Sequence, residues 1–371
     1  DPRQDDLGGG DGGRPDEPVV VVVHLGDRSH GPADADAVGA HGRRAGLSVG
    51  VEDRHAHRLG VPASELEDVS GLDAADDLEG FATGAAGFAV EDPAEVQPVV
   101  DGDVPFDVDA FEVEDNAWRR LAELPSAITH MNAVADGRSV WLAGGFKDGY
   151  PGHVIDEVWR YDIDDDRFVA TPPLPEPRAG GGLALVGRSL HYIGGLMSDR
   201  DTDSSDHWVL DLEGSGNWTN AAPMPAPRNQ FGTISRDGRI YLTGGQLGHD
   251  SRNGQPGLDQ TRVDIYDPST DSWSAGPDLP RPHSHAEGST LLSAGRIFVI
   301  GGRSETRNES TIWVLPREGE WSLFAELPQS LTAPAAGMLD GLLVVAAGAP
   351  SGSTPHAMVW ARRVEPGRDY P

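Results

Sequence analysis

The chain has 371 residues, no cysteine and a formal net charge of −31. That charge argues against nucleic acid or an anionic membrane as a partner. The lack of cysteine excludes a disulfide framework, a thiolate metal site and a cysteine nucleophile. No apolar run approaches the roughly 18 residues a membrane-spanning helix needs, so membrane insertion is not expected. There is no initiating Met and no signal-peptide pattern, which fits a fragment or a processed form.

Residues 1–115 differ from the rest. They hold 28 of the 60 acidic residues but only 7 of the 29 basic ones, and they lack Lys, Asn, Ile, Met, Tyr and Trp altogether. Such a segment buries too little apolar surface to offset chain entropy, so it is predicted to be largely disordered. The same composition fits GC-rich DNA read outside its natural frame. On either reading it carries no designed chemistry, and deleting residues 1–110 is expected to leave thermal stability unchanged. The exception is Val104–Ala110, whose alternation suits one strand.

From Asn116 onward the chain repeats. GRSVWLAGG (137–145), GRSLHYIGG (187–195), GRIYLTGG (238–245), GRIFVIGG (295–302) and a worn GLLVVAAG (341–348) recur. The doublets at Gly144, Gly194, Gly244 and Gly301 are 50, 50 and 57 residues apart. In the third copy four strands are predicted, near Gln230–Ser235, Arg239–Thr243, Arg262–Tyr266 and Ser272–Ala275. Asp237-Gly238 and Asp267-Pro268 mark its turns. An aromatic follows each long loop: Phe168, Trp218, Trp273 and Trp321, with Trp118 ahead of the first doublet. Four strands in about 50 residues, without helical periodicity, make an all-β protein built from propeller blades.

Gly-Gly after an apolar strand, then Tyr-Asp (161–162, 266–267), then an aromatic some seven residues after the Tyr, resembles the kelch repeat. The resemblance covers 116–363, is of bacterial type, and leaves 364–371 as a tail. It implies a β-propeller whose motif aromatics pack between blades. Five four-stranded blades are expected, closed by pairing the strand Trp118–Leu121 with Met358–Arg362. Six is the alternative count, with a sheet recruited from around 99–113.

Propellers of this family bind ligands at one mouth of the channel. The resemblance places His130, Arg178, Arg228, His283 and His285 there, on loops leading into first strands. Lys147, Asp148, His249 and Asp250 lie on the second-to-third loops. Read functionally, these groups grip a carboxylate or a sugar. Read as architecture, an Arg or His after the Leu-Pro meets a neighbouring carbonyl. His283 and His285 would share a face of one strand. Asp199, Asp201 and Asp203 suggest a loose Ca²⁺ site, although the EF-hand pattern fails at Ser204 and Leu210. No other cofactor is expected.

The resemblance implies a monomeric, non-enzymatic recognition propeller for carbohydrate or protein, extracellular or periplasmic. The alternative is a carbohydrate-active enzyme, a sialic-acid mutarotase or a polysaccharide lyase, using His283, His285, Arg178 and Arg228. Copper enzymes of this fold need a Cys–Tyr crosslink that this chain cannot form. The propeller region contains no G-x-S-x-G nucleophile elbow.

Overall fold

The computed structural model describes residues 19–25, 45–50, 108–112 and 117–364, apart from 127, 148–151, 215, 251–254, 256, 340–341 and 351–358. The described regular structure is β, with one short 3₁₀ turn at Glu287–Ser289.

The chain is all-β and folds as several four-stranded antiparallel sheets, of the kind that form kelch propeller blades. The first sheet runs Asn132–Asp136, Ser139–Ala143, Val158–Asp162, Arg167–Ala170. The second runs Gly182–Val186, Ser189–Ile193, His207–Asp211, Trp218–Asn220. The third runs Gly232–Arg236, Arg239–Thr243, Val263–Asp267, Ser272–Ala275, each within two residues of its predicted place. The fourth uses Thr290–Ser293, Arg296–Ile300, Arg307–Leu315 and Ser322–Leu331. The fifth has three strands, Ala335–Leu339, Leu342–Ala346 and Val359–Arg363. Tight turns with glycine at positive φ, such as Asp237-Gly238, join first to second strands and fix the register.

The inner strands of these sheets lie side by side in chain order. The motif aromatics tie each sheet to the one before it. Trp218 Nε1 donates to the Pro172 carbonyl at 3.1 Å, Trp273 to Ala222 at 2.9 Å and Trp321 to Pro277 at 2.8 Å. Tyr161 and Tyr266 pack on Phe168 and Trp273. Their hydroxyls donate to Asp166 and Asp271, which in turn accept from the backbone of the preceding sheet's linker at Ala122 and Ala222. An indole buried with its N–H satisfied contributes area without leaving a bare donor.

The N-terminal segment corrects one expectation. Ala117–Arg120 pairs with Val108–Glu112, not with the last strand of the fifth sheet. Val108–Glu112 pairs in turn with Val19–Leu25, and that strand with Ala45–Gly50. A partner four residues away closes a far smaller loop than one some 240 residues downstream, so local pairing is entropically favoured. Three strands therefore come from residues 1–115, where the sequence suggested one. The remainder of that segment, and the side chain of Trp118, lie outside the described residues. Ala45–Gly50 runs beside the inner strands of both the first and the fifth sheets. Val108 is fully buried among Leu121, Leu124, Met131 and Tyr161, and the Leu121 N–H reaches its carbonyl at 2.8 Å.

Candidate functional site

The glycine pairs build the site's frame. Gly144, Gly194, Gly244 and Gly301, and the residue after each, have positive φ. A Cβ on Gly244 would sit 2.2 Å from the His283 carbonyl of the next sheet, so only glycine fits. The second glycine of each pair donates its N–H across the sheet boundary. Gly145 reaches the Arg178 carbonyl at 2.8 Å, Gly195 reaches Arg228 at 3.1 Å, Gly245 reaches His283 at 2.7 Å and Gly302 reaches Leu331 at 2.7 Å. Four positions are thus equivalent, Arg178, Arg228, His283 and Leu331, and Ile128, two residues before the positive-φ His130, is the matching position ahead of the first sheet.

Two residues beyond each of these, the chain takes a left-handed conformation, at His130, Gly180, Gln230, His285 and Ala333. Here a girdle of backbone hydrogen bonds runs from sheet to sheet. The Gly180 N–H donates to His130 at 2.7 Å, Gln230 to Gly180 at 2.8 Å, His285 to Gln230 at 3.2 Å and Ala333 to His285 at 3.1 Å. Because the girdle follows the inner strands, its side chains gather at one mouth of the channel. The 3₁₀ turn at 287–289 lies beside inner strands of the first, third and fifth sheets. Burial pushes the Glu287 carboxyl there up to about 7.

The second-to-third loops form a rim above the girdle and fasten to one another. Arg200 forks onto Asp250 at 2.5 and 3.2 Å and stacks over Phe146, its guanidinium carbon 3.9 Å from the ring centre. Asp203 accepts from Asn229 and from the Gly248 N–H. Arg303 binds Asp259 at 3.0 Å and also Gln246. This rim carries His249 over to His130, 119 residues away, with Nε2 to Nε2 at 3.4 Å and the rings edge to face.

The imidazoles at this mouth are neutral at pH 7. Burial, together with His249 and Arg200, lowers the His130 pKa to about 3. Burial also lowers His249, against the pull of Asp250. His285 lies well below its ordinary value, through burial and then Arg303 and the other histidines. The hydrogen bonds assign the tautomers. His249 Nδ1–H donates to Asp250 at 2.6 Å, which leaves its Nε2 as an acceptor. Ser284 Oγ donates to Asp259 at 2.8 Å, so His285 Nδ1–H donates to Ser284 at 2.7 Å and His285 Nε2 carries a lone pair.

Of the residues singled out from sequence, His130, His249 and His285 come together with Asp250. Arg178, Arg228 and His283 are placed elsewhere, buried within the sheets. Arg178 holds Glu176 and Asp206 and lies over Trp208. Arg228 bonds the Gly244 carbonyl at 2.6 Å and Asp264 at 2.8 Å, and His283 Nε2 bonds the Gly301 carbonyl. These are contacts of the architectural kind. His283 and His285 do not share a face, because the left-handed turn at His285 breaks the alternation. Lys147 pairs with Glu157 at 2.6 Å, and Asp148 lies outside the described residues. Asp199 caps its own turn through Thr202, and Asp201 accepts from the His249 N–H. Among the described residues no group of three metal-ligating side chains is placed to hold an ion. Gln230, Arg200, Asp259 and Arg303 were missed. Aligning the copies on the Leu-Pro and stepping two residues past the Arg or His would have found Gln230.

Residues 227–280, the third copy, match the kelch motif family. The chain is a kelch-repeat protein. Among curated proteins it is similar to a kelch repeat-containing protein of Arabidopsis thaliana, 24% identical over 65% of this chain and 62% of that one. It is also similar to kelch repeat and BTB domain-containing protein 12 of Danio rerio, 26% identical over 51% of this chain and 33% of that one. The kelch chain thus spans less than two thirds of either relative. Among solved structures it resembles YjhT, with a TM-score of 0.58 at 14% identity, over 70% of this chain and 89% of that one. At that identity the likeness shows the fold.

Proposed function

We propose that this kelch protein is a non-enzymatic recognition module that takes a carbohydrate or a protein segment at the girdle mouth. One observation carries the reading: the groups an enzyme would need there are already engaged. Arg178 and Arg228, the carboxylate clamp of the alternative, sit at 1% exposure with carboxylates and carbonyls of their own sheets. His283 is equally buried, on a carbonyl. A mutarotase or lyase built on these four residues keeps only His285 at the mouth. A recognition surface needs no such freedom, since fixed and neutral polar groups lower the ordering cost of binding.

The test runs both readings on the full chain. Recognition predicts that a member of a glycan and peptide panel raises the melting temperature by mass action, and that His285→Ala abolishes the rise. It predicts no faster anomer exchange of sialic acid by NMR and no unsaturated uronate from polyuronates by absorbance. Turnover above background that disappears in His285→Ala would overturn it in favour of the enzyme.

We also infer that the ring has six blades. The support is the N-terminal sheet, whose Ala45–Gly50 strand lies between the inner strands of the first and fifth sheets.

A further inference from the structure

The fourth copy carries an insertion at the mouth. In the first, second, third and fifth sheets the inner strand begins two residues after the left-handed girdle residue: Asn132 after His130, Gly182 after Gly180, Gly232 after Gln230 and Ala335 after Ala333. In the fourth sheet it begins at Thr290, five residues after His285, and the extra residues are the 3₁₀ turn Glu287–Ser289. The turn is fastened in place. Ser289 Oγ donates to the Ile300 carbonyl at 2.7 Å, and Thr290 Oγ1 donates to the Ala286 carbonyl at 2.8 Å. It lies beside inner strands of the first, third and fifth sheets and beside Ala45–Gly50, so it juts into the channel just inside the girdle.

Glu287 is the charged side chain of this insertion. It is enclosed deeply enough for burial to raise its carboxyl, yet it keeps part of its surface open, as a group lining a channel does. No other described residue holds it: its own N–H and the charge of Arg303 are all that favour the ionised form, and Arg303 is bonded to Asp259 and Gln246. The strands packed on the turn offer no counter-ion. Ala45–Gly50 and Ala335–Leu339 contain no charged residue, and Asp136, Arg236 and Arg296 stand at the far ends of their strands. His285, two residues before Glu287, is neutral. Around the mouth Arg200 and Arg303 are outnumbered by Asp201, Asp203, Asp250, Asp259 and Glu287, and Lys147 is paired with Glu157. A cation is the ligand this charge balance selects. A metal ion would need further ligands, and among the described residues no group of three is placed to supply them.

The way in is lined by rings. His130, Phe146 and His249 pack together, with centroids 4.8, 5.1 and 5.5 Å apart. An ammonium on an unbranched alkyl stem can pass such a collar, stem against ring, and reach an inset carboxyl. An amino sugar bears its nitrogen directly on the pyranose and must bring the whole ring in. Resting on the recognition reading, we propose that the mouth receives a lysine side chain of a protein segment, whose ammonium pairs with the Glu287 carboxylate and whose stem lies among the rings of His130, Phe146 and His249.

The experiment titrates the full chain, followed by NMR, with a capped Gly/Ser peptide bearing one lysine, with its norleucine and acetyl-lysine counterparts, and with a chitosan hexamer and neutral and acidic hexasaccharides. The lysine peptide is expected to bind, and its two uncharged counterparts are not. Glu287→Gln keeps the shape without the charge. It should weaken binding at least about tenfold, as loss of a charge-assisted hydrogen bond does, without lowering the melting temperature. The ammonium keeps its charge up to about pH 10, whereas the Glu287 carboxyl, raised to about 7, must ionise to meet it. Affinity should therefore be about tenfold lower at pH 6 than at pH 8, and Glu287→Gln should flatten that dependence. Equal binding of the lysine and norleucine peptides overturns the proposal without recourse to any variant. So does lysine binding indifferent to Glu287→Gln, and so does the absence of any binding. Binding confined to glycans, chitosan included, overturns it but leaves recognition at the mouth standing, whereas turnover of sialic acid or a polyuronate overturns the recognition reading itself.

Discussion

Removing residues 1–114 is expected to destabilise the protein by on the order of 5 kcal/mol, read as a lower urea midpoint than that of the full chain. The composition of the segment suggests the opposite, since it lacks most core-forming residue types. Its strands change the expectation. Val108–Glu112 supplies the ladder for Ala117–Arg120, and the Val108 side chain is fully buried in the cluster that holds Leu121, Leu124 and Tyr161. Without it, Ala117–Arg120 becomes a bare edge, and the inner strands of the first and fifth sheets lose the strand between them. Val108→Asp in the full chain isolates the side-chain part. A charge placed at this site should be severely destabilising. Equal midpoints for the truncated and full chains would refute six blades and restore closure without the N-terminal sheet.

Asp264→Leu is expected to cost about 3–5 kcal/mol, because it strands a buried charge. Asp264 and Arg228 are each about 1% exposed at the side chain and meet at 2.8 Å. Burial, and after it the Arg262 charge, pulls the Arg228 pKa down, and Asp264 is the main group opposing it. Arg228 also supports the Gly244 carbonyl at the end of a second strand, so its displacement would loosen the boundary where Gly245 meets His283. Arg262 touches the same carboxylate but is 43% exposed, so Arg262→Gln should cost under about 1 kcal/mol. The double variant Arg228→Met/Asp264→Leu should recover much of the loss, since it removes both charges. Thermal or urea unfolding of the four proteins decides the matter. If Asp264→Leu costs no more than Arg262→Gln, the buried pair is not holding this boundary.

What could be read from sequence follows the range of the interaction. The strands of the third copy were legible because turn residues and alternation are local. The glycine pairs were legible as close approaches because a Cβ-free doublet at a strand end has few other uses, and the carbonyls of Arg178, Arg228 and His283 occupy that space. The role of the Pro-following Arg and His was legible only as two alternatives. Which one holds depends on Asp206, Asp264 and the Gly301 carbonyl, up to 36 residues away in the chain. The pairing of Trp118's strand is not legible from strand counting, because its hairpin partner Val108–Glu112 lies in a segment of atypical composition. The contact of His130 with His249 could not be read at all, since it depends on how far the rim loop leans across the girdle.

The central claim is that the histidines of the mouth are neutral and internally engaged. Long-range ¹H–¹⁵N spectra of the histidine rings, titrated from pH 8 to 5 on the full chain, test it most directly. Assignments come from His130→Gln, His249→Gln and His285→Gln. Because burial depresses all three, His130 and His285 are expected to stay neutral across the range and His249 to titrate below its ordinary value, with the neutral His249 and His285 rings protonated at Nδ1. An inflection near the ordinary value of about 6.5 for two or more of them would contradict the account. The mouth would then carry positive charge under mildly acidic conditions, and an acidic ligand would fit it better than a cationic one.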